Sequence, residues 1–64
     1  MMINIKDGIS ALLAIRLVER VLMEGMVCGK HYRYFSQFNV NGEEMMVTCK
    51  TYDNDLIFEV HKNK

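Results

Sequence analysis

The chain contains no proline, only two cysteines, four glycines and no excess of either charge. With no proline-rich linker, low-complexity tract, internal repeat or shift in composition, nothing divides its 64 residues, so one domain over 1–64 is expected. Cys28 and Cys49 allow at most one intrachain bridge, whereas small secreted scaffolds carry two to four. A reduced, cytoplasmic chain is the simpler expectation. Eight Lys plus Arg balance eight Asp plus Glu, which removes any global pull toward nucleic acid or an anionic membrane. Long apolar runs are missing too. The stretch 9–15 is followed at once by Arg16, Glu19 and Arg20, without a small-residue cleavage site, so neither a secretory signal nor a bilayer span of ~20 residues is expected.

What is present is globular: 50% of the residues are hydrophobic and 25% charged. A chain this short buries only about 60% of its unfolded surface, and its core rarely supplies more than about 3 to 5 kcal/mol. Reinforcement by a metal, a disulfide or a partner is therefore expected.

The first half has a period of 3.6. Ala11, Ala14, Ile15, Val18, Val21, Leu22 and Met26 fall on one stripe, with Arg16, Glu19, Arg20 and Glu24 opposite, which predicts an amphipathic helix over about 7–24. Asn4, Asp7 or Ser10 can supply the N-cap oxygen, and Gly25 or Gly29 the left-handed residue that ends the helix. Residues 2–6, where Ile3 and Ile5 alternate with polar neighbours, read either as a short extra strand or as the first helical turn.

The second half switches to period two. Asn41-Gly42 between alternating segments is a strong hairpin signal, because a type I′ turn needs positive φ at both central residues. It sets Phe38 opposite Met45, Ser36 opposite Val47 and Tyr34 opposite Cys49, on an inner face shared with Tyr32 and Val40. A second turn centred on Asn54-Asp55 pairs Cys49 with Val60 inside and Lys50 with Glu59 outside, and adds Leu56, Phe58 and Val60 to the inner face. Residues 44–52 become the middle strand. The expected fold is α+β: one N-terminal amphipathic helix packed on a three-stranded antiparallel meander.

Some apolar residues exceed this scheme. Ile9, Leu12 and Leu13 fall on the side of Arg16 and Arg20, away from the stripe that should cover the sheet. On the outer sheet face Phe35, Met46, Tyr52 and Ile57 sit among Arg33, Gln37, Thr48, Lys50, Glu59 and His61. A contiguous apolar patch on a monomer is costly in solubility, so both groups are candidate partner or dimer interfaces. The alternative is that the N-terminal segment folds back over Ile9, Leu12 and Leu13. Self-association is the default for such surfaces, through Leu12 and Leu13 or through the edge strand 31–39, which has no proline to block strand addition.

Chemical constellations are weaker. Cys28 and His31 have C-x-x-H spacing, and Cys49 and His61 would complete four zinc ligands, but Cys49 has inward parity and His61 outward, so no metal and no cofactor is assigned. Arg33, Phe35, Lys50, Tyr52 and His61 form an alternative nucleic-acid platform, weakened by Glu59. Asp53 and Asp55 read as turn residues and Glu43-Glu44 as solvated charge. Ser10 and Cys28 have no local base, and the glycines make no phosphate loop. The length leaves little room for a concavity of ~300 Å³. No catalytic residue is assigned and no enzyme is expected. The leading expectation is a small homodimeric inhibitor or regulator that occludes a larger macromolecule, a protein partner being favoured over nucleic acid and a membrane excluded. A viral or mobile-element origin suits such a chain on general grounds only. The second alternative is a zinc-stapled module.

Overall fold

The computed structural model describes residues 1–25 and 33–63. The expectations placed on Met26, Cys28, Gly29, His31 and Tyr32 lie outside the described residues. The elements run β1 (Met2–Ile5), α1 (Ala11–Met23), β2 (Tyr34–Val40), β3 (Glu43–Tyr52) and β4 (Asp55–Lys62). The strands form one sheet in the order β1-β4-β3-β2, so the meander is extended to four strands. Residues 2–5 are a strand, not a helical turn. They pair in parallel with β4, Ile3 opposite Phe58 and Ile5 opposite Val60, and Lys6 N–H continues the ladder to the Val60 carbonyl at 2.9 Å.

The helix begins later than the expected residue 7. Asp7 and Gly8 have φ of +59° and +70°, a left-handed conformation that cannot enter an α-helix. Ser10 is the N-cap, its Oγ accepting from Leu13 N–H at 3.2 Å. At the other end Gly25 takes φ +71°, which a residue with a Cβ adopts only at a cost, and its N–H reaches the Leu22 carbonyl at 3.2 Å.

The first hairpin has the expected register, with Tyr34, Ser36 and Phe38 opposite Cys49, Val47 and Met45. Its turn has Asn41 at φ +52° and Gly42 at +86°. Asn39 Oδ1 accepts from Gly42 N–H at 3.1 Å. The second turn is centred one residue earlier than expected. Asp53 and Asn54 hold the positive φ, +50° and +65°, so Tyr52 faces Asp55, Cys49 faces Phe58 and Lys50 faces Ile57. The expected Cys49–Val60 and Lys50–Glu59 pairs are thereby replaced. Moving a hairpin's centre by one residue shifts its cross-strand pairing by two, so every side chain keeps its face.

The inner face meets α1. Ala14, Leu17, Val18 and Val21 of the helix close on Met45, Val47, Cys49, Phe58 and Val60, with Ile9 at the helix entry completing the core. Ile3, Leu13, Tyr34, Phe38, Val40 and Leu56 pack around it. The buried stripe is rotated from the expected one: Leu17 is inside, while Ile15 and Leu22 are exposed. Ile9 is 8% exposed and Leu13 joins the core margin, so of the three residues expected on a surplus side only Leu12, 64% exposed, points away. The partial fold-back follows from β1, which brings residues 3–9 alongside the helix.

Candidate functional site

The outer face of the sheet carries the candidate site. Its residues are fixed by strand parity, since Phe58 and Val60 point inward and Ile57, Glu59 and His61 must therefore point outward. The parallel pairing sets Met2 beside Ile57 and Asn4 beside Glu59. On β3, Lys50, Thr48 and Met46 stand opposite Ile57, Glu59 and His61, while Phe35 and Gln37 of β2 stand opposite Thr48 and Met46. Thr48 has the shortest of these side chains and lies at the centre, with Phe35 and Glu59 across the strands and Met46 and Lys50 along its own. A short residue ringed by long ones makes a hollow.

That hollow is a trough of about 610 Å³, walled by Met2 and Asn4 at one edge and by Arg33 and Phe35 at the other. It corrects the expectation that a chain of this length has little room for a concavity. Phe35 is 64% exposed at its rim. The trough is chemically mixed: Met46 and Ile57 are apolar, Arg33 and Lys50 bring positive charge, and Glu59 is drawn aside by Lys6 Nζ at 3.4 Å. Tyr52, 67% exposed, lies beyond its end and faces Asp55. His61 stands opposite Met46 with its Nδ1 3.2 Å from the Lys62 carbonyl.

The structure therefore gathers Phe35, Met46 and Ile57 of the expected interface into one hollow and leaves Tyr52 outside it. Of the alternative nucleic-acid set it gathers Arg33, Phe35 and Lys50, and leaves Tyr52 and His61 apart. Met2 and Asn4 were not among the sequence candidates. Their signal was the inward alternation of Ile3 and Ile5, which sends their neighbours outward once residues 2–5 are read as a strand.

Other polar groups pair with one another or hold backbone and the amino terminus. Asp55 Oδ1 takes both the Met1 amine at 2.7 Å and Leu56 N–H at 2.9 Å, and the hydrogen bond to the amine is the main reason its carboxyl sits below the ordinary carboxylate value. Glu24, which caps α1, accepts from the Tyr34 hydroxyl at 3.1 Å and from the Ser36 hydroxyl at 3.5 Å. The hydrogen bond from Tyr34 to Glu24 raises the Tyr34 hydroxyl pKa above its usual value. Glu43 pairs with Lys62 at 3.0 Å and Glu44 accepts from Asn39 at 3.0 Å. Cys49 is buried in the core while His61 is on the outer face, so these two cannot share a tetrahedral site in this register. Among the described residues no group of three or more His, Cys, Asp or Glu converges, and no helix is long and apolar enough to cross a membrane.

Comparison with protein-family models, with curated proteins and with solved structures finds no match.

Proposed function

We propose that this chain is a small non-enzymatic interaction protein, a homodimer that seats a larger protein on its outer sheet face and occludes the surface it covers. The observation that carries the reading is the trough around Thr48, which α1, packed on the opposite face, leaves uncovered. Apolar anchors set in a hollow with a polar rim are the usual anatomy of a binding surface. An inhibitor or regulator is the role that suits occlusion without chemistry.

The test fills the hollow. Thr48→Phe and Phe35→Ala are compared with wild type and with Leu12→Asp as bait for interacting proteins. A partner held by wild type and Leu12→Asp but lost by both trough variants supports the reading. Identical retention by all four chains refutes it.

One observation favours nucleic acid instead: Arg33, Phe35 and Lys50 line the same trough. Glu59 in that hollow and the zero net charge oppose it. Steep loss of labelled RNA or DNA with rising salt, abolished by Arg33→Ala with Lys50→Ala, would decide for this alternative.

A further inference from the structure

The outward face of the helix sets two charges between two exposed apolar residues, and its charges are arranged to meet themselves. Directly opposite the buried stripe of Ala14, Leu17, Val18 and Val21 lie Leu12, Arg16, Glu19 and Met23, at spacings of four, three and four. Leu12 is 64% and Met23 84% exposed, and Ile15 and Leu22 flank them at 44% and 39%. A surface helix normally turns its polar side outward. Here only Arg16, Glu19 and Arg20 are polar in thirteen residues.

At a rise of about 1.5 Å per residue, Leu12 and Met23 stand about 8 Å on either side of the helix midpoint, and Arg16 and Glu19 about 2 Å on either side. Each pair is thus symmetric about the same point. Two such helices laid face to face and antiparallel, related by a two-fold axis through that point, bring Leu12 of one copy onto Met23 of the other at both ends. The same operation sets each Arg16 against Glu19 of the second copy in the middle. It also keeps like flanks together, so Ile15 and Leu22 of both copies meet on one side and Arg20 stays at the wet rim on the other. A parallel arrangement would stack Arg16 on Arg16 and Glu19 on Glu19, which like-charge repulsion disfavours. Neither Arg16 nor Glu19 has an ion-pair partner among the described residues, so both are available to a second molecule.

We infer that the outward face of α1 is the homodimer interface, closed by an antiparallel pairing of Leu12 with Met23 and Arg16 with Glu19 about a two-fold axis. The inference rests on the homodimer in the reading above and adds its surface and geometry. It leaves both troughs facing away from the interface, one per protomer.

The test is solution mass against concentration, by light scattering or sedimentation, for the full chain. Wild type is expected to pass from 7.5 kDa toward twice that mass. Leu12→Asp is expected to raise the dissociation constant by at least about a hundredfold, since the change is made twice at a buried anchor. Arg16→Glu and Glu19→Arg each weaken it by roughly tenfold, by turning two attractions into repulsions, and the double exchange restores it to within about threefold. All three substituted positions are exposed to solvent in one protomer, and circular dichroism checks that the variants fold. Dimers that ignore Leu12→Asp, or a charge exchange that fails to restore association, overturn this interface while leaving dimerisation through the β2 edge. A chain that stays at 7.5 kDa to millimolar concentration overturns the dimer itself and leaves trough capture to its own assay.

Discussion

Replacing Phe58 and replacing Phe35 should have opposite outcomes, although both are phenylalanines of the same sheet. Phe58 is fully buried beneath α1 and Phe35 is 64% exposed on the other face. A domain of 64 residues has a total stability of about 3 to 10 kcal/mol at the usual figure per residue. Phe58→Ala costs about 3 to 5 kcal/mol through lost burial and the cavity left behind, enough to consume most of that total, so the graded change Phe58→Leu is the useful one. It retains most of the apolar volume and should cost on the order of 1 to 2 kcal/mol. With a urea dependence near the low end for small proteins, its midpoint falls by about 1 M. Phe35→Ala exposes no new core surface and should stay within about 0.5 kcal/mol of wild type. Urea denaturation followed by circular dichroism measures both. Equal losses at the two positions would refute the assignment of faces on which the trough and the core both depend.

Ser10→Ala removes the acceptor for Leu13 N–H and should cost about 1 kcal/mol, read as a lower melting temperature with reduced helical signal. Gly42→Ala places a Cβ at φ +86° and should cost about 1 kcal/mol in the same assay, although the space around it is open. Asp55 has its carboxyl pKa lowered chiefly by the N-terminal amine, so its contribution to stability is present above the ordinary value of 3.8 and lost as pH falls through the depressed one; Asp55→Asn should flatten the acid limb of the stability profile. Tyr34 has its pKa raised by Glu24, so its contribution is complete below the ordinary value of 10.0 and declines as pH rises past it, and Tyr34→Phe should remove that decline.

Local signals in the sequence were reliable, and features decided by distant contacts were not. Asn41-Gly42 specified its turn because only residues tolerant of positive φ suit a two-residue hairpin, and the register then followed. The second turn offered two adjacent candidates, Asp53-Asn54 and Asn54-Asp55. The opposite charges of Lys50 and Glu59 favoured the wrong one, since Glu59 takes its ion pair from Lys6, just past the end of β1. β1 itself pairs with the last strand of the chain, a contact that leaves no trace in its own four residues. The helix face was misjudged for a related reason. The three polar residues of thirteen all lie on one side, leaving an apolar arc wider than the sheet can bury, and the docking of Ile9 and β1 turns Leu17 inward and Ile15 outward.

The same ambiguity bears on function. Among the described residues, one helix on a four-stranded sheet covers one side of each and leaves the other side of each exposed. A chain that is half hydrophobic then has two faces on which surplus apolar groups can appear, and both carry them: Leu12, Ile15, Leu22 and Met23 on the helix, Met2, Phe35, Met46 and Ile57 on the sheet. The two faces differ in their polar residues. On the helix, Arg16 and Glu19 lie symmetrically about its midpoint and complement a copy of themselves, whereas Arg33 and Lys50 at one end of the trough, with Glu59 held by Lys6, have no such symmetry. A self-complementary face suits an identical partner and an asymmetric hollow suits a different one, so a two-fold dimer closed through α1 would present two equivalent troughs on its outer surfaces.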